Sequence, residues 1–304
     1  MLIKIIYAIA EMFGVFAIGA IARHLKYIAE EDISNWSRLI IDFLFPLLIF
    51  YSIVKNFQVE RVSELWTLPL IGFGLMLFGA LIGYPLLRGI KSRDNAVRAT
   101  FHHLCAVNNY SFLPIIILAN LWGEKLLPIL FILNIGSTVA YWTIGIATLG
   151  AKDIKQTLRN IVSPNLIAVV LALAITLLGL KAYVPDILMK IFGSLGACAV
   201  PVLFIIIGAS LYGSPKLFHN KRDITYLTIV RLVLIPVLSI LILKMLPLPK
   251  DVYHTAFIVS IMPVSVSSTL ITRVYGGSPD FAAQAALVTT IASLGTIPLL
   301  LYFL

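Results

Sequence analysis

The chain has 304 residues, of which 60% are hydrophobic and only 12% charged, with a formal net charge of +9 and a mean hydropathy of +0.99. Soluble domains carry roughly 25% charged residues, so this share cannot wrap a 33.5 kDa globule in water, and an ordinary soluble enzyme, a disordered chain, collagen and a disulfide-rich secreted scaffold are excluded. Runs such as Leu166 to Leu180 do not alternate polar and apolar residues, which excludes a membrane β-barrel as well.

A helix needs ~20 apolar residues to cross a bilayer. Ten such segments lie near residues 3–22, 35–54, 66–87, 98–119, 126–149, 162–180, 187–211, 224–246, 252–273 and 281–303. The expected fold is an all-α polytopic membrane protein with no separate soluble domain. Glu11 interrupts the first segment, and Arg23, His24 and Lys26 follow it, a flank typical of a retained span rather than a cleaved signal peptide. The basic residues sit singly or in small groups between apolar runs, so the charge does not point to a nucleic-acid partner. Fourteen of the 23 Lys and Arg fall on one side of the ten segments, eight on the other, and Arg231 lies within a span. That asymmetry predicts a multi-pass protein of the cytoplasmic membrane with both termini outside. Cys105 and Cys198 have no metal-site spacing and read as small packing residues. No metal or cofactor is expected, apart from a coupling ion, H+ or Na+.

Corresponding features recur in the two halves. Pro46 opens "PLLIF" in the second segment and Pro201 opens "PVLFI" in the seventh; Pro114 interrupts the fourth and Pro263 the ninth. A five-helix unit ends on the opposite side from its start, so its second copy must be inverted. The polar stretch around 150–160 divides the chain into repeats at 1–150 and 151–304. Paired interruptions in corresponding segments point to a transporter binding site.

The fourth segment carries Asn108, Asn109 and Ser111 shortly before Pro114. Proline removes a backbone donor and frees a carbonyl, and freed groups at bilayer depth need protein, ligand or a water-filled cavity. Two carboxamides supply donors and acceptors without net charge. They suit a carboxylate or the oxygen shell of a monovalent cation; a kinked packing site is the plainer alternative. In the ninth segment Pro263 precedes Ser265, Ser267, Ser268 and Thr269. If both segments unwind and cross, their half-helix N-termini bring partial positive charge to mid-membrane. Asn134, Ser137, Thr138 and Tyr141 share one helical face of the fifth segment. Thr289, Ser293 and Thr296 do so in the tenth, with Gln284 earlier. Both stripes suit cavity lining, ion coordination or plain helix packing.

Ionisable groups inside spans need a partner or a purpose. Asp42 stands four residues after Arg38, the spacing of an intrahelical ion pair. Glu11 sits among small residues that suggest a packed interface. Either carboxylate is a candidate proton carrier. Arg231 is placed to snorkel to the cytoplasmic surface, and His102 and His103 read as interfacial. No HExxH, GxSxG or Walker A pattern is present, and no catalytic residue is assigned.

At "NNYSFLPIII" and "MPVSVSSTLITRVYGGSPDFAAQAALVTT" the sequence resembles the auxin efflux carrier family, the bacterial relatives of the plant PIN-FORMED transporters. "SPNLIAVVLALAITLLGL" and "VPVLFIIIGASL" extend the resemblance over most of the chain. Asn109 and Phe112 match the family's fourth-helix pattern, while the proline comes early, at Pro114, with Ile116 where many members have theirs. Pro263, Tyr275 and Gly276 match the ninth-helix pattern. The resemblance implies ten helices in an inverted five-plus-five repeat, with broken, crossing fourth and ninth helices in a transport unit that moves elevator-fashion against a scaffold. It further implies an organic-anion substrate such as malate, malonate or an auxin-like acid, with Asn109 in its site. The expected function is secondary active transport of such a carboxylate, by a homodimer in the lipid bilayer. The alternatives are a sodium-coupled symporter of the bile-acid type, a cation/proton antiporter of the same architecture, or a membrane sensor on a transporter scaffold.

Overall fold

The computed structural model describes residues 2–59, 66–150, 162–212 and 220–304, and nearly all of them are helical. In chain order the helices are α1 (Leu2–His24), α2 (Glu30–Asn56), α3 (Thr67–Leu86), α4 (Asn95–Ala106), α5 (Phe112–Trp122) and α6 (Glu124–Thr148). They continue as α7 (Pro164–Leu177), α8 (Asp186–Tyr212), α9 (Lys221–Met245), α10 (Lys250–Ser260), α11 (Ser268–Val274) and α12 (Pro279–Leu301). Among the described residues, six helices are long and apolar enough to cross a bilayer: α2, α3, α6, α8, α9 and α12. The shorter apolar α5 and α7 accompany them. This is the architecture of a multi-pass membrane protein. The dividing stretch at 150–160 falls, beyond Gly150, outside the described residues.

Local chemistry sets several starts. Asp94 accepts from the amide of Ala96 to open α4. Ser163 and Ser278 accept from Leu166 and Phe281, each followed by proline at the first helical position, where its missing N–H costs nothing. Three helices widen into a π turn within the span: Ile40–Leu44 in α2, Tyr141–Gly145 in α6 and Val230–Leu234 in α9. For two of them the cause is readable. Pro46 and Pro236 lie two residues past the turn and cannot donate to the carbonyl four residues back. The ladder shifts instead, with Phe45 N–H bonding Ile40 O and Ile235 N–H bonding Val230 O.

Close helix contacts rest on glycine. Gly19 of α1 abuts the backbone of Ile205, while Gly208 of α8 abuts that of Phe16; a Cβ at either would overlap a carbonyl. Gly72 of α3 and Gly136 of α6 make a second such pair, against Leu133 and Pro69. In lipid, where apolar side chains gain little from meeting one another, this close backbone approach supplies the packing.

Helix is interrupted at 107–111, between α4 and α5, and again at 261–267, between α10 and α11. The first interruption lies earlier than the expected one. Pro114 is the third residue of α5, in the first turn, where proline fits a helix, so it follows the break rather than causing it. Pro263 lies inside the second break. Pro201 sits within an unbroken α8. Cys105 is buried as expected, whereas Cys198 is exposed on α8 and packs against little protein.

Candidate functional site

The two interruptions meet. Asn108 and Val264 form an antiparallel bridge, and the amide of Asn109 donates to the carbonyl of Pro263 at 2.8 Å. The Asn108 side chain donates from Nδ2 to the carbonyl of Val259. Each break thus supplies partners for the other's unwound backbone, which makes irregular chain tolerable at this depth. Asn108 and Pro263 are both buried in the crossing itself.

Behind the crossing lies Arg231, on the π turn of α9 and 2% exposed. Its Nε donates to Met262 O at 3.1 Å, its Nη1 to Cys105 O at 3.0 Å and its Nη2 to Ser260 O at 3.4 Å. Cys105 and Ser260 are in the last turns of α4 and α10. Carbonyls there carry the partial negative charge of a helix terminus, and a cation offsets it. The expected snorkelling is overturned: the guanidinium turns inward because three backbone acceptors replace the water it would otherwise seek. His103 is likewise buried rather than interfacial. Its Nδ1 pairs with Gly145 O at 2.8 Å and its Nε2 with Ser268 Oγ at 3.1 Å, tying α4 to α6 and α11. His102 pairs with Ala80 O of α3 at 2.9 Å.

In front of the crossing is a cavity of about 490 Å³, walled by α2, the first break, α5, α6, the start of α7 and the second break. Asn109 lines it and is 4% exposed. Its Oδ1 accepts from the amides of Phe112 at 3.1 Å and Leu113 at 3.4 Å, capping α5; its Nδ2 has no hydrogen-bond partner among the described residues. On α6 Asn134 donates from Nδ2 to Ser111 Oγ at 3.1 Å, and its buried Oδ1 has no partner among the described residues. Ser265 and Ser267 share a hydrogen bond of 2.8 Å, and Ser267 contacts the Tyr141 hydroxyl at 3.4 Å. Thr138 and Asp42 complete the lining expected from sequence. Tyr110 and Asn165 were not anticipated. The Asn165 Oδ1 is buried without a partner among the described residues, and nothing in the local "SPNL" distinguishes it from an ordinary first-turn residue. The cavity thus holds amide and hydroxyl groups of both polarities, suited to fixing the orientation of a small polar molecule.

Other candidates lie elsewhere. Pro114 and Ser137 are buried within α5 and α6 and do not line this cavity. Gln284 is buried in α12 with Oε1 unpartnered. Thr289 and Ser293 bond back to their own helix, to Ala285 O at 2.7 Å and Thr290 O at 2.6 Å. Glu11 is exposed rather than packed and lines a separate crevice of about 280 Å³ with Asn120 and Glu124. Arg23–Glu30 and Lys55–Glu124 form ion pairs. Arg38 and Asp42 form none with each other.

Comparison with known proteins decides the family. The model of a family described as "Membrane transport protein", the auxin-efflux-like transporters, matches residues 4–155 and 151–301. The chain belongs to this family. An uncharacterized transporter of Methanothermobacter thermautotrophicus is 25% identical over 287 residues, covering 93% of this chain and 92% of the relative. The uncharacterized transporter MJ1031 of Methanocaldococcus jannaschii is 22% identical over 290 residues, covering 93% of each. This membrane transport protein therefore resembles the archaeal transporters along nearly its whole length.

Proposed function

We propose that the protein is a secondary active transporter of a small organic anion, a carboxylate of the size of malate, malonate or an auxin-like acid. The observation that carries this reading is the cavity wall beside the crossed breaks, where Asn109 Nδ2 stands as an unpartnered donor at the capped N-terminus of α5. A carboxylate there would accept from Asn109 and from the Ser111 hydroxyl, facing the positive end of the α5 dipole. Arg231 offsets the negative ends of α4 and α10 on the far side of the crossing, so the local balance favours an anion. About 490 Å³ is ample for such a substrate.

Counting α4–α5 and α10–α11 as one crossing each gives the ten spans of an inverted five-plus-five repeat. The two segments of the family match, which meet near residues 151–155, are in keeping with that division. Alternating access would follow from an elevator movement of the crossed helices against a scaffold containing the closely packed α1 and α8. A cation/proton antiporter is the second reading, favoured by Asp42, the one charged residue among the described residues of the cavity lining. Proteoliposomes with labelled malate, malonate and indole acetate, under imposed proton and sodium gradients, separate the two. Saturable carboxylate flux supports the first, and cation exchange without any organic substrate the second. Saturable binding with no flux would make the protein a sensor and overturn both.

A further inference from the structure

Among the described residues, the cavity has no Lys, Arg or His in its wall and a single carboxylate, Asp42. Asp42 is carried on the π turn Ile40–Leu44, a distortion frequent at functional sites. The titratable groups that share the wall are the hydroxyls of Tyr110 and Tyr141. On its own helix Arg38 makes no ion pair with it. The π turn packs against α7, which has no ionisable residue, and α8, whose Asp186, Lys190, Cys198 and Tyr212 line no part of the cavity. The second break contributes Ser265 and Ser267, neither of which titrates.

Resting on the anion reading above, we propose that Asp42 is the coupling group and that the anion binds only with Asp42 in its carboxylic acid form. A sphere of this volume is about 10 Å across, so an ionised Asp42 and a bound carboxylate would be two like charges in one low-dielectric space with no cation among the described residues of its wall. Like charges that share a site favour protonation of one of them. The acid form then offers an O–H donor where the carboxylate offered only acceptors, adding to Asn109 Nδ2 and the Ser111 hydroxyl. Asp42 takes its proton from water on the loading side. After the conformational change the anion leaves, and the proton returns to water on the other side. One proton travels with each anion, so a proton gradient drives anion movement in the same direction. By linkage, the half-saturation for the anion rises toward about tenfold per pH unit where Asp42 is ionised in the free carrier.

The test uses the full chain in proteoliposomes with labelled malate, which is ionised throughout the range of about pH 6.5–8.5. The expected result is a half-saturation that climbs with pH and an acid-outside gradient that drives accumulation. Asp42→Asn should flatten both dependences, while Asp42→Glu retains them. Wild-type flux indifferent to pH, accumulation driven by sodium instead of protons, or an unchanged pH profile in Asp42→Asn would each overturn the proposal. If the Asp42→Asn protein is not monodisperse on size exclusion, the wild-type and Asp42→Glu profiles decide, and a flat profile in either overturns it. Absence of carboxylate flux in the wild type overturns the anion reading itself, whereas pH-independent carboxylate flux leaves that reading standing and removes this one.

Discussion

Arg231 donates from Nη1 to the carbonyl oxygen of Cys105 at 3.0 Å, between residues 126 apart in the chain. Through Met262 and Ser260 the same guanidinium holds the second break, so one side chain of α9 joins the ends of α4 and α10. Arg231→Ala should lower stability by about 3 kcal/mol or more, since three buried carbonyls lose a charged partner. Arg231→Lys should recover less than half of that, because an ammonium cannot match the planar fork. Thermal unfolding of the detergent-solubilised protein checks this, and an Ala variant as stable as wild type would remove the role.

Asn109 separates folding from binding within one side chain. Asn109→Asp keeps the acceptor for the amides of Phe112 and Leu113, and the positive end of the α5 dipole offsets part of the cost of a second carboxylate in the cavity. It also replaces the unpartnered Nδ2 with an oxygen. The protein should therefore fold with α5 still capped while carboxylate flux falls at least about tenfold. Asn109→Ala should lose the cap too, at a cost of about 0.5–2 kcal/mol. Undiminished flux in Asn109→Asp would remove Asn109 from the substrate site.

Asn134 holds a buried Oδ1 with no partner, a cost to the folded state. Asn134→Leu removes that acceptor with little change in volume. It should leave the melting temperature equal or raised and reduce transport, the opposite pattern from a packing residue. Paired melting and flux measurements on the same preparation test it.

The reciprocal contacts of Gly19 with Ile205 and of Gly208 with Phe16 leave no room for a methyl group. Either Gly→Ala change should destabilise by about 1–3 kcal/mol. The double variant should fall short of the sum, since once α1 and α8 have separated the second methyl meets less resistance. Additive melting shifts would show that the two contacts are independent.

The spans were legible because apolar runs of this length have few other uses. The segments expected at 162–180 and 281–303 start within two residues of Pro164 and Pro279, where local Ser-Pro chemistry marks the boundary. The polar residues of the breaks were legible too, and Asn109, Ser111, Ser265 and Ser267 do line one cavity. What failed was anything set by distant partners. The three carbonyls that hold Arg231, and the Gly145 and Ser268 contacts of His103, lie far away in sequence. The Arg38–Asp42 pair expected from the four-residue spacing does not form either. Asn165 gave no signal, because its place in the cavity depends on how α7 is set against α2 and α6.

A π turn contains one residue more than the same length of α-helix, and the surplus is a matter of phase. Deleting a single residue between 40 and 44, or between 230 and 234, would let the helix run in one continuous α winding with its two halves still in phase, because the wider turn already absorbs the surplus residue. Composition and hydropathy would hardly change, and the span would still insert. Yet Pro46 or Pro236 would then meet the carbonyl four residues back, the conflict that the wider turn relieves. The rest of α2 and α9 would keep their seats, and the residues displaced would be those the turns carry, Asp42 and Arg231 among them. Chain length at these two turns is thus as sharply determined as the identity of the charged residue each one carries.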